Sequence, residues 1–112
     1  LNIDHQYTAK AVITAARPEY QNSVSEILFF EINSSTDYQI KSNGMQFQPN
    51  FFVDISDTLQ DKKKALEFYK SEMKKYPHSR SIKAIVNKNI SMGNSFGLNA
   101  CEAFQIVRKI EK

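Results

Sequence analysis

The residues best suited to chemistry stand at the start of the chain, in the run Asn2-Ile3-Asp4-His5. Helical periodicity follows directly, so Asp4 and His5 fall at the beginning of a predicted helix. The positive end of a helix dipole favours the neutral imidazole, which is the form that binds a metal, and it stabilises a carboxylate. The same pair is also typical of a helix cap followed by a surface residue, and that alternative stays open.

A second group of candidates lies in the loop between two predicted helices, where His78 and Arg80 stand close together. A histidine beside an arginine could bind an anion or a sugar, whereas a plain surface loop is the alternative. Cys101 is the single cysteine and falls in an apolar strand, so we expect it to be buried and inert. Catalytic zinc needs about three protein ligands. His5 could therefore be only one of them, with the rest supplied by carboxylates or by groups outside this chain.

The composition excludes several classes of protein. The chain has 112 residues, of which 41% are hydrophobic and 24% charged, as in ordinary globular domains. One cysteine rules out both a disulfide framework within the chain and a multi-cysteine zinc module. No apolar run approaches the ~20 residues of a membrane span. The net charge of +3 is too small to argue for nucleic-acid binding.

The lysine runs Lys62-Lys63-Lys64 and Lys74-Lys75 fall within, or at the end of, a predicted helix. A solvated helix face accounts for such runs in most proteins. A phosphate-binding or membrane-binding patch is the alternative.

The elements that position these residues follow in the order helix, strand, strand, helix, helix, strand. Helical or strand periodicity predicts helices over 4–16, 58–75 and 81–93, and strands over 25–32, 51–55 and 101–110. The apolar run 27–30 predicts a fully buried strand, which is typical of parallel or mixed sheets with helices on both sides. The polar loop 33–37 then lies at the carboxyl end of that strand, where open α/β sheets bind their ligands.

Local signals predict how the helices begin and pack. Asp4 is expected to cap the first helix, whose alanine-rich face suggests close packing against a sheet. Asp57, with Gln60 three residues later, has the spacing of a capping box. Ser79 or Ser81 is expected to cap the third helix.

Together these segments resemble the C-terminal half of the PIG-L/LmbE family of zinc-dependent N-deacetylases. The run Asn2-Ile3-Asp4-His5 is similar to the family's His-x-Asp-His motif, and Pro77-His78-Ser79-Arg80-Ser81 resembles its His-Pro-Arg-Ser turn. The resemblance covers nearly the whole chain and is greatest to members that act on sugar amides in surface polysaccharide pathways. Further matches follow in the family's order: Ala16-Arg17-Pro18, Phe30-Glu31, Ser34-Ser35-Thr36, Pro49-Asn50-Phe51-Phe52-Val53-Asp54-Ile55, Lys64-Ala65-Leu66, Tyr69-Lys70-Ser71-Glu72, Gly97 and Cys101-Glu102-Ala103-Phe104.

The resemblance implies an α/β fold, namely the C-terminal portion of a Rossmann-like three-layer sheet with helices on both faces. Residues 1–112 would then be the C-terminal part of a single deacetylase domain, and its N-terminal half would be absent from this chain. That expectation agrees with a sequence that begins with Leu1, without a signal peptide, and runs straight into a helix.

The resemblance also implies zinc as the cofactor and His5 as its third protein ligand. The other ligands and the general base would come from the absent half. Asp4 would orient the ligand and balance charge. Asn2 replaces the first histidine of the motif. Its amide could donate a hydrogen bond to an oxyanion but could not act as an acid.

The implied reaction is removal of the acetyl group from an amino sugar of the N-acetylglucosamine type, with Ser35, His78 and Arg80 contacting the sugar. We expect a cytoplasmic protein without a nucleic-acid partner or a transmembrane segment, and a homo-oligomer is possible. Because this chain supplies one of three expected metal ligands, a non-catalytic structural or carbohydrate-binding fragment is the alternative function.

Overall fold

A computed structural model describes residues 3–19, 24–32, 47–69 and 71–111. The predicted mixture of helices and strands is confirmed. No helix among the described residues is long and apolar enough to cross a membrane. The elements in chain order are α1 Ile3–Ala15, β1 Glu26–Phe30, β2 Phe51–Asp54, α2 Leu59–Glu67, α3 Ile82–Asn94 and β3 Cys101–Lys109.

The three strands form an antiparallel sheet in the order β1-β3-β2. Phe30 of β1 and Phe51 of β2 are the partners of Phe104 on either side of the central strand. Cross-strand partners point to the same face of a sheet, so the three phenylalanines form a row across it. The ring centroids of Phe51 and Phe104 are 6.1 Å apart.

The sheet differs from the one expected from the sequence. Every pairing among the described strands is antiparallel, and these strands show no Rossmann-like three-layer arrangement. The prediction that residues 27–30 are fully buried is also wrong, because Phe30 is 66% exposed. A short apolar run cannot distinguish a buried strand from an edge strand. In the described sheet β1 lies at the edge.

The core lies where α3 approaches the start of β3. An added Cβ at Gly93 would lie 2.6 Å from Cα of Ala100, so helix and strand meet nearly backbone to backbone. Asn89 of α3 donates a hydrogen bond from Nδ2 to the carbonyl of Cys101 at 3.1 Å. The buried apolar residues are small except for one isoleucine: Ala16, Ile55, Ala100, Cys101 and Ala103.

The N-terminal cap of α3 agrees with the prediction from the sequence, whereas that of α2 does not. The Ser81 hydroxyl accepts a hydrogen bond from the amide of Ala84 at 3.1 Å, which confirms Ser81 as the cap of α3. The cap of α2 is Thr58, without a side-chain hydrogen bond. The capping box predicted at Asp57 is therefore wrong, since the helix begins one residue too late for it.

Helix α2 ends at Glu67, eight residues before the predicted end at Lys75. The amides of Phe68 and Tyr69 donate to the carbonyls of Ala65 and Leu66, three residues earlier, so the last turn tightens where the helix ends. The amide of Lys74 instead donates to the carbonyl of Arg80 at 3.2 Å. This bond holds the chain in turns that lead back to the start of α3.

Helix α1 is attached to the rest of the protein mainly at its C-terminal end. It begins at Ile3, so Asp4 lies in its first turn and is not the predicted N-cap. No residue of α1 is buried, which makes the predicted packing of its alanine face wrong for the described residues. Ala16 directly follows the helix, and its carbonyl accepts a hydrogen bond from Arg108 Nη2 at 2.6 Å.

Candidate functional site

The first candidate site is the N-terminal end of α1, where Asp4 and His5 are both exposed to solvent. The Thr8 hydroxyl donates to the carbonyl of Asp4 at 2.8 Å, so this hydroxyl is engaged by the helix backbone. The positive end of the α1 dipole lies beside both side chains. His5 is thus accessible for coordination, and Asn2 lies outside the described residues.

A zinc ion needs more ligands than this end of α1 provides. Among the residues that the structure describes, no group of three or more His, Cys, Asp or Glu side chains is placed to hold a metal ion. Catalytic zinc sites use about three protein ligands. The described residues therefore do not complete a zinc site, and His5 stands as a single candidate ligand.

The second candidate site is the turn before α3, where the structure brings His78 and Arg80 together. Nδ1 of His78 accepts a hydrogen bond from the backbone amide of Arg80 at 3.0 Å. The backbone of His78 also bonds to both sides, to the Lys75 carbonyl and to the Ser81 amide. Both side chains are half-buried. The local hydrogen bonds make His78 part of the turn's framework and leave Nε2 as its remaining ring nitrogen.

The remaining sequence candidates add little to either site. Ser35 lies outside the described residues. Cys101 is fully buried, as predicted. Burial, followed by the negative charge of Asp54, raises the pKa of the Cys101 thiol, which disfavours the nucleophilic thiolate.

A third site, which the sequence did not predict, is a shallow cleft of about 100 Å³ between the sheet and the two C-terminal helices. Two ion pairs line it. Lys88 Nζ lies 3.0 Å from Glu31 Oε2, and Lys62 Nζ lies 3.6 Å from Glu102 Oε2. The full lining is Phe30, Glu31, Lys62, Ile85, Lys88, Asn89, Glu102, Ala103 and Phe104.

The cleft combines balanced charge with an apolar wall. Each ion pair joins a helix to the sheet region, and partial solvent exposure limits what such pairs add to stability. Asn89 Oδ1 is buried at the cleft without a hydrogen-bond partner. Because that oxygen is itself buried, a molecule in the cleft would meet the ion pairs and the apolar wall rather than this oxygen.

This cleft escaped prediction from the sequence because its charges come from four separate parts of the chain. One signal was present, since Lys62 is spaced three residues from Leu59 and four from Leu66. That spacing places Lys62 on the inward stripe of α2, unlike its neighbours Lys63 and Lys64.

Comparisons with known proteins found no matching family model, no matching curated protein and no matching solved structure.

Proposed function

We propose that this chain forms part of a zinc-dependent N-deacetylase of the PIG-L/LmbE type, which hydrolyses the N-acetyl group of an amino sugar. The observation that carries the proposal is His5, whose imidazole is exposed on the first turns of α1 within the run Asn2-Ile3-Asp4-His5. The other zinc ligands would come from residues outside those described. The same proposal includes the Rossmann-like sheet, to which those residues would contribute, and a cytoplasmic location.

The roles proposed for the other residues follow from their chemistry. Arg80 offers planar donors suited to hydroxyl or phosphate oxygens of the sugar. His78 would use Nε2, because Nδ1 already accepts the amide of Arg80. Asp4 would balance the charge at His5, Ser35 would bond a sugar hydroxyl, and the Asn2 amide would donate to the oxyanion.

The test is His5→Ala in the intact protein. We expect zinc affinity and amine release from an N-acetylglucosamine substrate to fall together, each by more than about 100-fold, since loss of a ligand exceeds the loss caused by an outer-shell change. Tyr7→Ala is the matched control, because Tyr7 is 63% exposed on the same helix. Activity that survives His5→Ala at normal zinc content would exclude the ligand assignment.

A non-catalytic structural or carbohydrate-binding fragment is the second candidate function. The incomplete set of metal ligands among the described residues favours it. Saturable binding of the same sugar by the intact protein, without any release of amine and without bound zinc, would support this function over the deacetylase.

A further inference from the structure

The stretch from Asp61 to Tyr76 carries the whole net charge of the protein. It contains six lysines and three acidic residues, a net charge of +3, which equals the net charge of the full chain. The rest of the sequence is therefore balanced in charge. A local excess of this kind attracts polyanions and anionic surfaces.

The aromatic residues of this stretch are exposed to solvent. Phe68 is 88% exposed, the highest value among the large apolar residues of the described chain. Tyr69 is 62% exposed and Tyr76 is 52% exposed. The three residues lie within positions 68–76, and several exposed apolar side chains in so short a stretch, unlike a single one, favour an interaction surface.

Lysines flank these rings. Lys64 precedes Phe68 by one helical turn, so the two side chains lie on the same side of the helix end. The amide of Met73 donates to the carbonyl of Tyr69 at 3.2 Å, which folds the following residues back in a turn. We call the exposed lysine and aromatic side chains of this stretch the basic-aromatic patch: Lys63, Lys64, Phe68, Tyr69, Lys74, Lys75 and Tyr76. The same stretch also exposes Asp61, Glu67 and Glu72.

We propose that the basic-aromatic patch docks the protein on a membrane surface that contains anionic lipids. The lysines are attracted by the negative surface potential, and their effect adds up within a Debye length of the bilayer. Phe68 enters the boundary between headgroups and acyl chains, and the tyrosines lie at headgroup level. This docking goes beyond the proposed deacetylation and needs no metal.

The chemistry of the patch favours lipid over nucleic acid. The stretch from Asp61 to Tyr76 contains no arginine, the residue best suited to bidentate recognition of phosphates and guanine. The exposed side chain of Phe68 can insert into a bilayer without a stacking partner.

The experiment is co-sedimentation of the purified protein with vesicles of two compositions. We expect binding to vesicles of equal parts phosphatidylcholine and phosphatidylglycerol, weakened by added salt, and little binding to phosphatidylcholine alone. Equal binding to both vesicles, or none to the anionic ones, would overturn the proposal.

Paired variants locate the contact on the protein. Phe68→Ser should weaken binding about tenfold through lost apolar burial. Lys74→Gln combined with Lys75→Gln should weaken it about 30-fold. Tyr7→Ser and Lys10→Gln, at exposed positions of α1, are the matched controls and should bind like the unaltered protein. Equal losses in patch variants and controls would refute the assignment.

Two further measurements distinguish membrane docking from nucleic-acid binding and from deacetylation. Single-stranded DNA that binds the protein through the same patch residues, with vesicle binding unaffected by their substitution, would assign the patch to nucleic acid and overturn membrane docking. Conversely, His5→Ala should leave vesicle binding intact. Failure of the deacetylase proposal can thus be told apart from failure of the docking proposal.

Discussion

At the scale of single residues, Asp54 shows how hydrogen bonds in a local turn lower the pKa of a carboxyl group. Its Oδ1 accepts hydrogen bonds from the Ser56 hydroxyl at 2.5 Å and from the Ser56 amide at 2.9 Å. These bonds, the hydroxyl bond first, lower the pKa of Asp54. We expect Ser56→Ala to raise that pKa toward its ordinary value of 3.8, as followed by NMR titration of the carboxyl carbon.

The pH dependence of stability follows from the direction of this shift. A carboxyl pKa that is lower in the folded state adds stability above its unfolded value, and the contribution is lost as pH falls through the folded value. The unaltered protein should therefore lose more stability on acidification than Ser56→Ala does. Ser71→Ala, at an exposed position, is the control. An unchanged Asp54 pKa in Ser56→Ala would contradict this account.

Residue-level predictions succeeded where the signal is local. The cap at Ser81 and the burial of Cys101 follow from their immediate neighbours in sequence. The cleft charges could not be predicted in this way. Glu31 and Lys88, for example, form an ion pair across 57 positions of sequence, and no spacing rule connects them.

At the scale of elements, the contact between α3 and the start of β3 depends on Gly93. Alanine has a helix propensity better than glycine by about 1 kcal/mol. A Cβ at this position would nevertheless meet the Ala100 backbone at 2.6–2.8 Å. We expect Gly93→Ala to lower the free energy of unfolding by about 1–3 kcal/mol, measured by urea denaturation.

Ser91→Ala is the matched control, since Ser91 is exposed two residues earlier on the same helix. It should change the free energy of unfolding by less than about 0.5 kcal/mol. A Gly93→Ala variant as stable as this control would show that α3 and β3 can move apart without lowering the free energy of unfolding.

Element boundaries could be predicted from the sequence for β2 and β3 but not for the end of α2. The bounds of β2 and β3 agree with the sequence to within a residue. The early end of α2 does not, because the apolar spacing continues beyond Glu67 whereas the amides of Phe68 and Tyr69 reach back only three residues. Apolar spacing alone does not indicate where the last helical turn tightens.

At the scale of the whole molecule, the Cys101 thiol reports on opening of the core. It is fully buried, and burial raises its pKa. We expect labelling by a thiol reagent to be slow in native buffer and fast after denaturation, as measured by absorbance. Cys101→Ser serves as the blank. Fast labelling without denaturant would mean that the core around β3 opens locally.

The raised pKa of Cys101 also makes the stability of the folded protein fall at alkaline pH. A thiol whose pKa is higher in the folded state contributes stability below its ordinary value of 9.0, and the contribution is lost as pH rises through the folded value. Unfolding midpoints in urea should therefore decline above about pH 9 in the unaltered protein. Cys101→Ser should lack that component of the decline.

The sequence predicts the mixed α/β class of the molecule, but not how its strands pair. Strand order arises from pairing between β1 and β3, for example Phe30 with Phe104, across 74 positions of sequence. The apolar pattern within a strand does not identify the strand with which it pairs. The proposed zinc site at His5 likewise needs further ligands, and the described residues place no group of three or more His, Cys, Asp or Glu side chains to hold a metal ion.

The central position of β3 has a consequence for synthesis of the protein. β1 and β2 both pair with β3, which follows them in the chain. While the polypeptide emerges from the ribosome, β1 and β2 are synthesised before β3, so they cannot pair with it until β3 has been translated. During this interval the phenylalanines of β1 and β2 can contact other nascent chains, so we expect chaperones to bind the protein at this stage.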